Sequence, residues 1–373
     1  MAGIYIHIPF CRQACHYCDF HFTTNLGKMN ELTEAILIEI EQRKDYLNGA
    51  AVETVYFGGG TPSLLPEDQL ERILEKIFTF FPGKKTEITL EANPDDLNEK
   101  KINHWKSMGI DRLSLGIQSF QQEILKAYNR AHSADEAKKA IELGRKGGFE
   151  KFSIDLIYGF PHPDHHLWKK DLEEAMRQDP GHISAYALTV EPKTVLGNWT
   201  KKGKFTPAEE DFTAEQFEWL QEQTDKAGYV QYEISNFGKP NQFAVHNTSY
   251  WKGIPYLGLG PSAHSFNGVE RGFNPSSNPA YVKMLLSGSS PFQVDPMDRT
   301  DQFNEEILTG LRTIWGIDLD DLLHRYQVDL RTIKSTTIHK LEAEGWLLAQ
   351  GNHLSLSRRG KLLADTIALE LFI

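Results

Sequence analysis

Short apolar segments alternate with amphipathic helical segments over the first half of the chain, and no other sequence feature restricts the fold as strongly. The apolar segments predict six strands, at Gly3–Ile8, Glu53–Phe57, Glu87–Ala92, Arg112–Ile117, Phe152–Tyr158 and His182–Val190. The intervening segments predict helices at Met29–Leu47, Pro66–Phe80, Glu99–Ser107, Ala134–Arg145 and Leu167–Arg177. Repeated strand–helix–strand steps require a parallel sheet with helices outside it. We therefore predict an α/β protein in which residues 1–195 form a partial (β/α)6 barrel rather than a closed eight-stranded one.

Polar residues lie where the predicted strands end. A cysteine-rich segment follows the first strand, and a Gly-Gly-Gly-Thr-Pro run that starts at Gly58 follows the second. Glu91, Gln118 and Asp155 lie on or just after the next three strands. The carboxyl ends of the strands form the active mouth of a βα barrel. We therefore expect these side chains to converge on one active site.

The chain has three cysteines, Cys11, Cys15 and Cys18, within eight residues. An odd, clustered set does not form a disulfide framework, so we expect a reducing environment. The N-terminus shows neither a secretory signal nor a transit peptide, and no apolar run of about 18 residues predicts a membrane span. A formal net charge of −11 disfavours general binding to a phosphate backbone. We therefore predict a soluble, cytoplasmic protein that binds no nucleic acid.

Beyond the predicted barrel, the alternation of strands and helices stops. Residues 196–295 predict a connector helix and a loop-rich extension of the barrel, and residues 296–373 a small helical domain. The order of helices before a β-hairpin at Trp346–Leu356 makes the small domain winged-helix-like. Its segment Asp318–Ile373 has seven Lys or Arg against eight Asp or Glu, and so lacks a basic stripe. We interpret this domain as a packing or interaction module.

The cysteine spacing, Cys11-x3-Cys15-x2-Cys18, suits one compact metal site. Thiolates are soft ligands that select iron–sulfur clusters, zinc or copper(I). A closed zinc site needs a fourth protein ligand, which His7, His16 or His21 could supply. A four-iron cluster held by three cysteines leaves one iron open for a small molecule. A set of free buried thiols is the third alternative.

The segment Tyr5-Ile6-His7-Ile8-Pro9-Phe10-Cys11 with the two following cysteines resembles the radical S-adenosylmethionine (SAM) superfamily. More narrowly, it resembles the branch of oxygen-independent coproporphyrinogen III oxidases. This resemblance implies that Cys11, Cys15 and Cys18 hold a [4Fe-4S] cluster whose open iron binds SAM. It also implies that the reduced cluster cleaves SAM to methionine and a 5′-deoxyadenosyl radical. The residues implied to contact SAM are Tyr5, Tyr17, Gly59, Gly60, Thr61, Glu91, Gln118, Arg130 and Asp155.

One departure from the oxidase pattern and one further motif divide the branch. The decarboxylating oxidases carry a fourth cysteine two residues after the third, where this chain has Phe20. The segment His246-Asn247-Thr248-Ser249-Tyr250-Trp251 matches the HNxxYW signature of the HemW-type haem chaperones. The resemblance therefore implies a chaperone that binds haem, with His246 as the haem ligand. Coproporphyrinogen III dehydrogenase is the alternative, and a non-catalytic zinc-binding interaction protein is the second one.

The chaperone resemblance also implies partners. These are haem, the haem proteins that accept it, and an electron donor such as flavodoxin or ferredoxin. A homodimer and a transient association with membrane-bound respiratory haem proteins are further expectations. One local departure is the segment from Gly159 to His166, which has more histidines than the family's usual turn. We expect these histidines to be solvated loop residues rather than ligands.

Overall fold

The six predicted strands form a parallel sheet in the computed structural model, which describes all 373 residues. The strands are β1 (Ala2–Ile8), β2 (Val52–Gly59), β3 (Glu87–Ala92), β4 (Arg112–Gln118), β5 (Lys151–Tyr158) and β6 (Gly181–Ala187). The helices are α1 (Met29–Gln42), α2 (Glu67–Phe80), α3 (Glu99–Ser107), α4 (Gln122–Ala127), α5 (Ala134–Lys146) and α6 (His166–Gln178). Short 3-10 turns at Leu26–Lys28, Pro62–Leu64 and Pro94–Asp96 lead towards α1, α2 and α3. The predicted partial barrel is confirmed.

The burial pattern explains why these segments adopt these structures. Ile4, Ile6 and Ile8 of β1 are fully buried, and the intervening residues are buried or half-buried, as expected of a parallel strand covered on both faces. The buried residues Leu70, Ile73, Leu74 and Ile77 of α2 recur at helical spacing and form one apolar face. Strands and helices therefore enclose one continuous apolar core.

Two elements end earlier than their sequences predict. Helix α1 stops at Gln42 instead of Leu47, because the backbone then continues in turns whose amides bond three residues back, from Tyr46 to Arg43 and from Asn48 to Asp45. Strand β6 stops at Ala187 instead of Val190, because its pairing with β5 ends there. Neither difference moves a predicted site residue.

The extension after the barrel is more regular than its turn-rich composition indicates. Its elements are α7 (Val195–Lys201), α8 (Glu210–Lys226), β7 (Val230–Gln231), β8 (Asn236–Gly238), α9 (Val245–Trp251), β9 (Tyr256–Leu259), β10 (His264–Phe266), β11 (Arg271–Phe273), α10 (Asn278–Leu286) and β12 (Gln293–Asp295). Strand β9 pairs parallel to β1, and β8 pairs antiparallel to β6. The extension thus supplies both outer edges of a twelve-stranded sheet. No helix is long and apolar enough to cross a membrane.

The last part of the chain packs around a second apolar cluster that runs from Phe303 to Leu371. Its elements are α11 (Arg299–Leu311), β13 (Ile317–Asp318), α12 (Leu319–Tyr326), α13 (Leu330–Ile333), α14 (Ser335–Ala343), β14 (Leu347–Gln350), β15 (His353–Leu356) and α15 (Ala364–Leu371), with a 3-10 turn at Gly360–Leu363. Strands β13, β15 and β14 form a small antiparallel sheet, in which the hairpin of β14 and β15 follows α14. These separate cores support a proposed boundary near residue 296, with residues 196–295 as part of the barrel body.

Candidate functional site

The three cysteines lie in the loop that leaves the carboxyl end of β1. This loop is fixed by backbone hydrogen bonds, from the Cys11 amide to the Thr23 carbonyl at 3.0 Å and from the Thr23 amide to the Pro9 carbonyl at 2.6 Å. All three thiols are half-buried. The Thr61 hydroxyl lies 3.5 Å from the Cys11 Sγ, and the Arg130 Nη1 lies 3.2 Å from the Cys15 Sγ. Two sulfurs therefore have polar donors beside them.

The ionisation of these thiols depends on their burial and on one another. Burial raises the pKa of the Cys18 thiol to about 12, and the nearby Cys15 and Cys11 raise it further. Burial also raises the pKa of Cys11. Cys11 and Cys18 therefore keep their protons until a metal displaces them, because metal ligation requires the thiolate form. A cationic metal group would offset the mutual repulsion of the three thiolates.

Arg130 links the cysteine loop to the ends of two strands. Its Nη2 donates to the Asn93 side-chain oxygen at 2.8 Å and to the Gly116 carbonyl at 2.6 Å. Its Nη1 is also 3.4 Å from the Tyr17 hydroxyl, and its buried Nε has no partner. An unpartnered buried donor on a side chain that also contacts a cysteine sulfur fits a site that is completed by a bound group. Arg130 and Tyr17 therefore lie together at the cysteine site.

The Gly-Gly-Thr turn after β2 packs directly against the start of the cysteine loop. The Gly60 amide donates to the Ile8 carbonyl at 2.9 Å, and the Thr61 amide donates to the Phe10 carbonyl at 2.7 Å. A Cβ on Gly60 would approach the Phe10 carbonyl oxygen to 2.8 Å, so a larger residue would push the two loops apart. Gly59 has a φ of +106°, which only glycine adopts readily. Glycine is thus required here for close backbone packing.

Two carboxylates face the interior of the barrel below this turn. Glu91 Oε1 accepts a hydrogen bond of 2.6 Å from the Tyr56 hydroxyl, and Asp155 accepts one of 3.2 Å from Ser114. Burial raises the pKa of Glu91 to about 7 and that of Asp155 to about 6, and the charge of Asp155 adds to the shift of Glu91. A bound cation would reverse these shifts by favouring the ionised forms. This pair of acids therefore suits a positively charged ligand.

The raised pKa of Glu91 gives an expected pH dependence of stability. The folded chain keeps the Glu91 proton up to about pH 7, whereas the unfolded chain loses it near 4.5. The contribution of Glu91 is therefore present at low pH and is lost as the pH rises through this window, by up to about 1.4 kcal/mol per pH unit. We expect Glu91→Gln, which cannot ionise, to gain stability relative to the unaltered chain over this range in urea unfolding of ligand-free protein. Glu71→Gln on the exposed face of α2 is the control, and parallel profiles for all three proteins would contradict this assignment.

Gln118 and Tyr5 are the remaining residues that the family resemblance assigns to SAM. Gln118 lies at the end of a strand, and Tyr5 lies inside the barrel. Gln118 ends β4 with a φ of +66°, a left-handed conformation that is uncommon for a residue other than glycine. The side-chain nitrogen of Gln118, Nε2, and the Nη2 of Arg130 both lie close to Gly116. The Tyr5 ring stacks on Tyr56 at 6.0 Å. Each residue assigned to the cluster or to SAM in the sequence is thus at the carboxyl ends or inside the barrel.

His246 lies elsewhere, at the amino ends of the strands. Its amide donates to Glu87 at the start of β3, and its Nδ1 is 2.8 Å from the Thr54 hydroxyl near the start of β2. Its Nε2 is 2.9 Å from the Tyr250 hydroxyl, so both ring nitrogens are hydrogen-bonded to protein. Burial lowers the pKa of His246 to about 3, which keeps the ring neutral. In this conformation no ring nitrogen is free for an iron atom.

The position of His246 separates it from the cysteines along the barrel axis. Strand β1 has seven residues, so its two ends are roughly 20 Å apart. The His246 ring stacks on Tyr56 at 5.1 Å, and Tyr56 in turn donates to Glu91. Ring stacking and a hydrogen bond therefore connect His246, at the amino ends of the strands, through Tyr56 to Glu91 in the barrel interior.

Sequence analysis missed three residues that the structure places in this arrangement. Tyr56 bridges His246 and Glu91, Asn93 contacts both Arg130 and Thr61, and Thr54 holds the His246 ring. Thr54 and Tyr56 are two residues apart in the same strand, so their side chains point to the same face. This spacing could have predicted that both polar side chains face inward. Asn93 directly follows β3, at the same edge as Glu91.

Family models match both parts of the chain. The model described as "Radical SAM superfamily" matches residues 5–174, and the model described as "HemN C-terminal domain" matches residues 297–363. The chain is also 31% identical over 371 residues to "Heme chaperone HemW" of Bacillus subtilis (strain 168), with 98% of each chain covered. The chain belongs to the HemW family of radical SAM proteins. The family resemblance found in the sequence is thereby confirmed.

Other comparisons agree with membership of the HemW family. The chain is 34% identical over 343 residues to "Heme chaperone HemW" of Synechocystis sp. (strain ATCC 27184 / PCC 6803 / Kazusa), which covers 89% of this chain and 83% of that one. The fold of the present chain matches that of coproporphyrinogen III oxidase (HemN) from Escherichia coli with a TM-score of 0.86. That match covers 100% of this chain and 90% of the other at 20% identity, so it concerns the fold alone.

Proposed function

We propose that this chain is a haem chaperone that holds a [4Fe-4S] cluster, SAM and haem and passes haem to haem proteins. The similarity to the Heme chaperone HemW of Bacillus subtilis over 98% of both chains carries this proposal. Phe20 supports it, because this side chain is 72% exposed beside the cysteine loop, where the decarboxylating oxidases carry another cysteine. Coproporphyrinogen dehydrogenase activity is therefore the second candidate.

Cys11, Cys15 and Cys18 are the proposed ligands of the cluster. The donors beside the sulfurs and the unpartnered Arg130 Nε fit a negatively charged thiolate group at this place. When bound, the cluster supplies an open iron for SAM and an electron for its cleavage. Thr61 and Arg130 would hold the sulfurs of Cys11 and Cys15 by hydrogen bonds. An electron donor of the flavodoxin or ferredoxin type is part of this proposal.

The proposed SAM site uses the residues around this loop and inside the barrel. These are Tyr5, Tyr17, Gly59, Gly60, Thr61, Glu91, Gln118, Arg130 and Asp155. The two interior carboxylates support the assignment, because SAM carries a sulfonium and an ammonium cation. Binding of such a cation to a site with protonated acids releases protons. The Gly-Gly-Thr turn would present backbone atoms rather than side chains.

His246 is the proposed haem ligand, although its ring nitrogens are bonded to Thr54 and Tyr250. Ligation through Nε2 therefore requires the Tyr250 side chain, one turn further along α9, to rotate away from the His246 ring. We expect His246→Ala to weaken haem binding at least about tenfold and to change the haem absorption spectrum, because an axial ligand is lost. The measurement is a haem titration of anaerobically reconstituted protein.

A matched control separates loss of a ligand from loss of packing. His182 is equally buried and is bonded to Ser153 and Tyr232, and it lies on β6 rather than on α9. We expect His182→Ala to keep the haem spectrum of the unaltered chain. An unchanged spectrum in His246→Ala would remove His246 as the ligand while leaving the chaperone proposal open to test by haem transfer.

Transfer of bound haem to an apo-haem protein tests the proposal as a whole. We expect transfer from the haem-loaded chain and no conversion of coproporphyrinogen III in an anaerobic assay of the same preparation. Formation of protoporphyrinogen IX would instead establish the second candidate. A cytoplasmic location, a homodimer and a transient association with respiratory haem proteins at the membrane stay predictions.

A further inference from the structure

The loop between β5 and α6 contains a side-chain cluster outside the cysteine site. His162 and His166 both direct Nδ1 at the same carboxylate oxygen of Asp164, at 3.3 Å and 2.5 Å. One ligand atom from each of these three residues lies within 4.8 Å of the other two. The three side chains are solvated, as the sequence indicated, yet they converge on one point.

The spacing explains the convergence. Asp164 lies two residues from each histidine, and His166 is the first residue of α6. The two imidazole rings meet edge to face at 4.7 Å. His165 points the other way, where its Nε2 is 2.7 Å from Glu215 and its ring stacks on Phe212 of α8. One histidine therefore anchors the loop to α8, while the Nδ1 atoms of His162 and His166 are hydrogen-bonded to Asp164.

Two imidazoles and one carboxylate form a recognised donor set for a borderline divalent metal. Imidazole suits Zn²⁺, Fe²⁺, Ni²⁺ and Cu²⁺, and three protein ligands leave positions open for water or another ligand. Ligand atoms around tetrahedral Zn²⁺ lie about 3.3 Å apart. The His162 Nδ1 lies 3.3 Å from the Asp164 carboxylate oxygen, whereas the His166 Nδ1 lies 2.5 Å from it, so a bound ion would replace the hydrogen bond between His166 and Asp164. We propose that His162, Asp164 and His166 bind one divalent transition-metal ion, independently of the cysteine cluster.

The surroundings of the site define its charge and position. The loop precedes the amino end of α6, whose positive end opposes a cation, and Asp164 offsets this because it also accepts the His166 amide at 2.9 Å. Next to the loop, Phe160 packs against Tyr128 at 4.3 Å, and Tyr128 packs against Tyr17 of the cysteine loop at 6.4 Å. A bound ion would therefore fix the loop over the apolar cluster that borders the cysteine site.

Titration of Co²⁺ into anaerobically reconstituted protein tests this site. With iron and sulfide occupying the cysteines, we expect one equivalent of Co²⁺ to bind with the visible bands of nitrogen and oxygen ligands and to be displaced by Zn²⁺. The double variant His162→Ala/His166→Ala is expected to bind at least about tenfold more weakly. Because these side chains are 26% and 47% exposed, the variant should fold and keep its iron.

His165→Ala is the matched control, since it removes a histidine of the same loop that faces α8. We expect this variant to bind Co²⁺ as the unaltered chain does. Equal loss in both variants, undiminished binding in the double variant or the absence of saturable binding would each overturn the proposal. Sulfur-to-cobalt charge-transfer bands would show instead that the ion occupies vacant cysteines, which contradicts a separate site.

Discussion

Replacement of any one of Cys11, Cys15 and Cys18 by alanine is expected to leave the chain without bound iron and sulfide after anaerobic reconstitution. Two remaining thiolates do not hold a cluster that already has one open iron, and the chain has no other cysteine to replace the lost one. Iron and sulfide analysis with absorption spectroscopy measures the outcome. The same change is expected to abolish SAM cleavage, because the open iron and the electron are lost together.

Thr61→Val provides the control for this first prediction. It preserves the side-chain shape but removes the hydroxyl that lies 3.5 Å from the Cys11 Sγ. We expect full iron and sulfide content and a shifted reduction potential, since hydrogen bonds to the sulfurs tune the potential of a cluster. Cysteine variants that keep the full content of iron and sulfide would contradict the ligand assignment. Zinc without iron or sulfide in the unaltered chain would contradict the cluster itself.

Arg112→Met is expected to lower the free energy of unfolding by about 3–5 kcal/mol, because it leaves a buried carboxylate without its partner. Arg112 and Glu87 are each 1% exposed, and the Arg112 Nε donates to Glu87 at 2.8 Å. The Arg112 Nη2 also donates to the carbonyls of Gln242 and Phe243. Glu87 in turn accepts the amides of Val245 and His246. This ion pair therefore holds the start of α9 at the amino ends of the barrel strands.

Urea unfolding of the cluster-free chain measures this second effect. Lys28→Met is the matched control, because Lys28 forms an exposed pair with Glu31, where the expected change is within about 1 kcal/mol. The double variant Glu87→Gln/Arg112→Met should recover part of the loss, since it leaves no buried charge. An Arg112→Met variant as stable as Lys28→Met would show that the buried pair does not stabilise the fold.

The cysteine loop and the barrel strands were predictable because the signals are local. Strand alternation, helical periodicity and the cysteine spacing each depend on residues that are near one another in the chain. The bounds of β3 and α3 agree with the sequence, while α1 ends five residues earlier than predicted, at Gln42 instead of Leu47. Local patterns thus predicted element type better than element ends.

The edges of the sheet were not predictable from local patterns. Strand β9 has four residues in a segment rich in glycine and proline, and its pairing with β1 joins residues about 250 positions apart along the chain. Glu39 shows the same limit. On α1 it resembles one polar residue of an amphipathic helix, yet it is fully buried and accepts from Tyr281, Asn274 and the Gly260 amide. Such contacts arise only when the distant segments meet.

By itself, the sequence determined the parallel βα architecture, the cluster of three cysteines and the strand ends that surround it. Only the tertiary structure decided where the signature histidine lies. His246 is bonded to Thr54, which is 192 positions away in the chain, at the end of the barrel opposite the cysteines. Spacing and periodicity encode which groups a segment can offer. Burial and hydrogen-bond partners depend on distant segments, and these decide whether a ring nitrogen is free to bind.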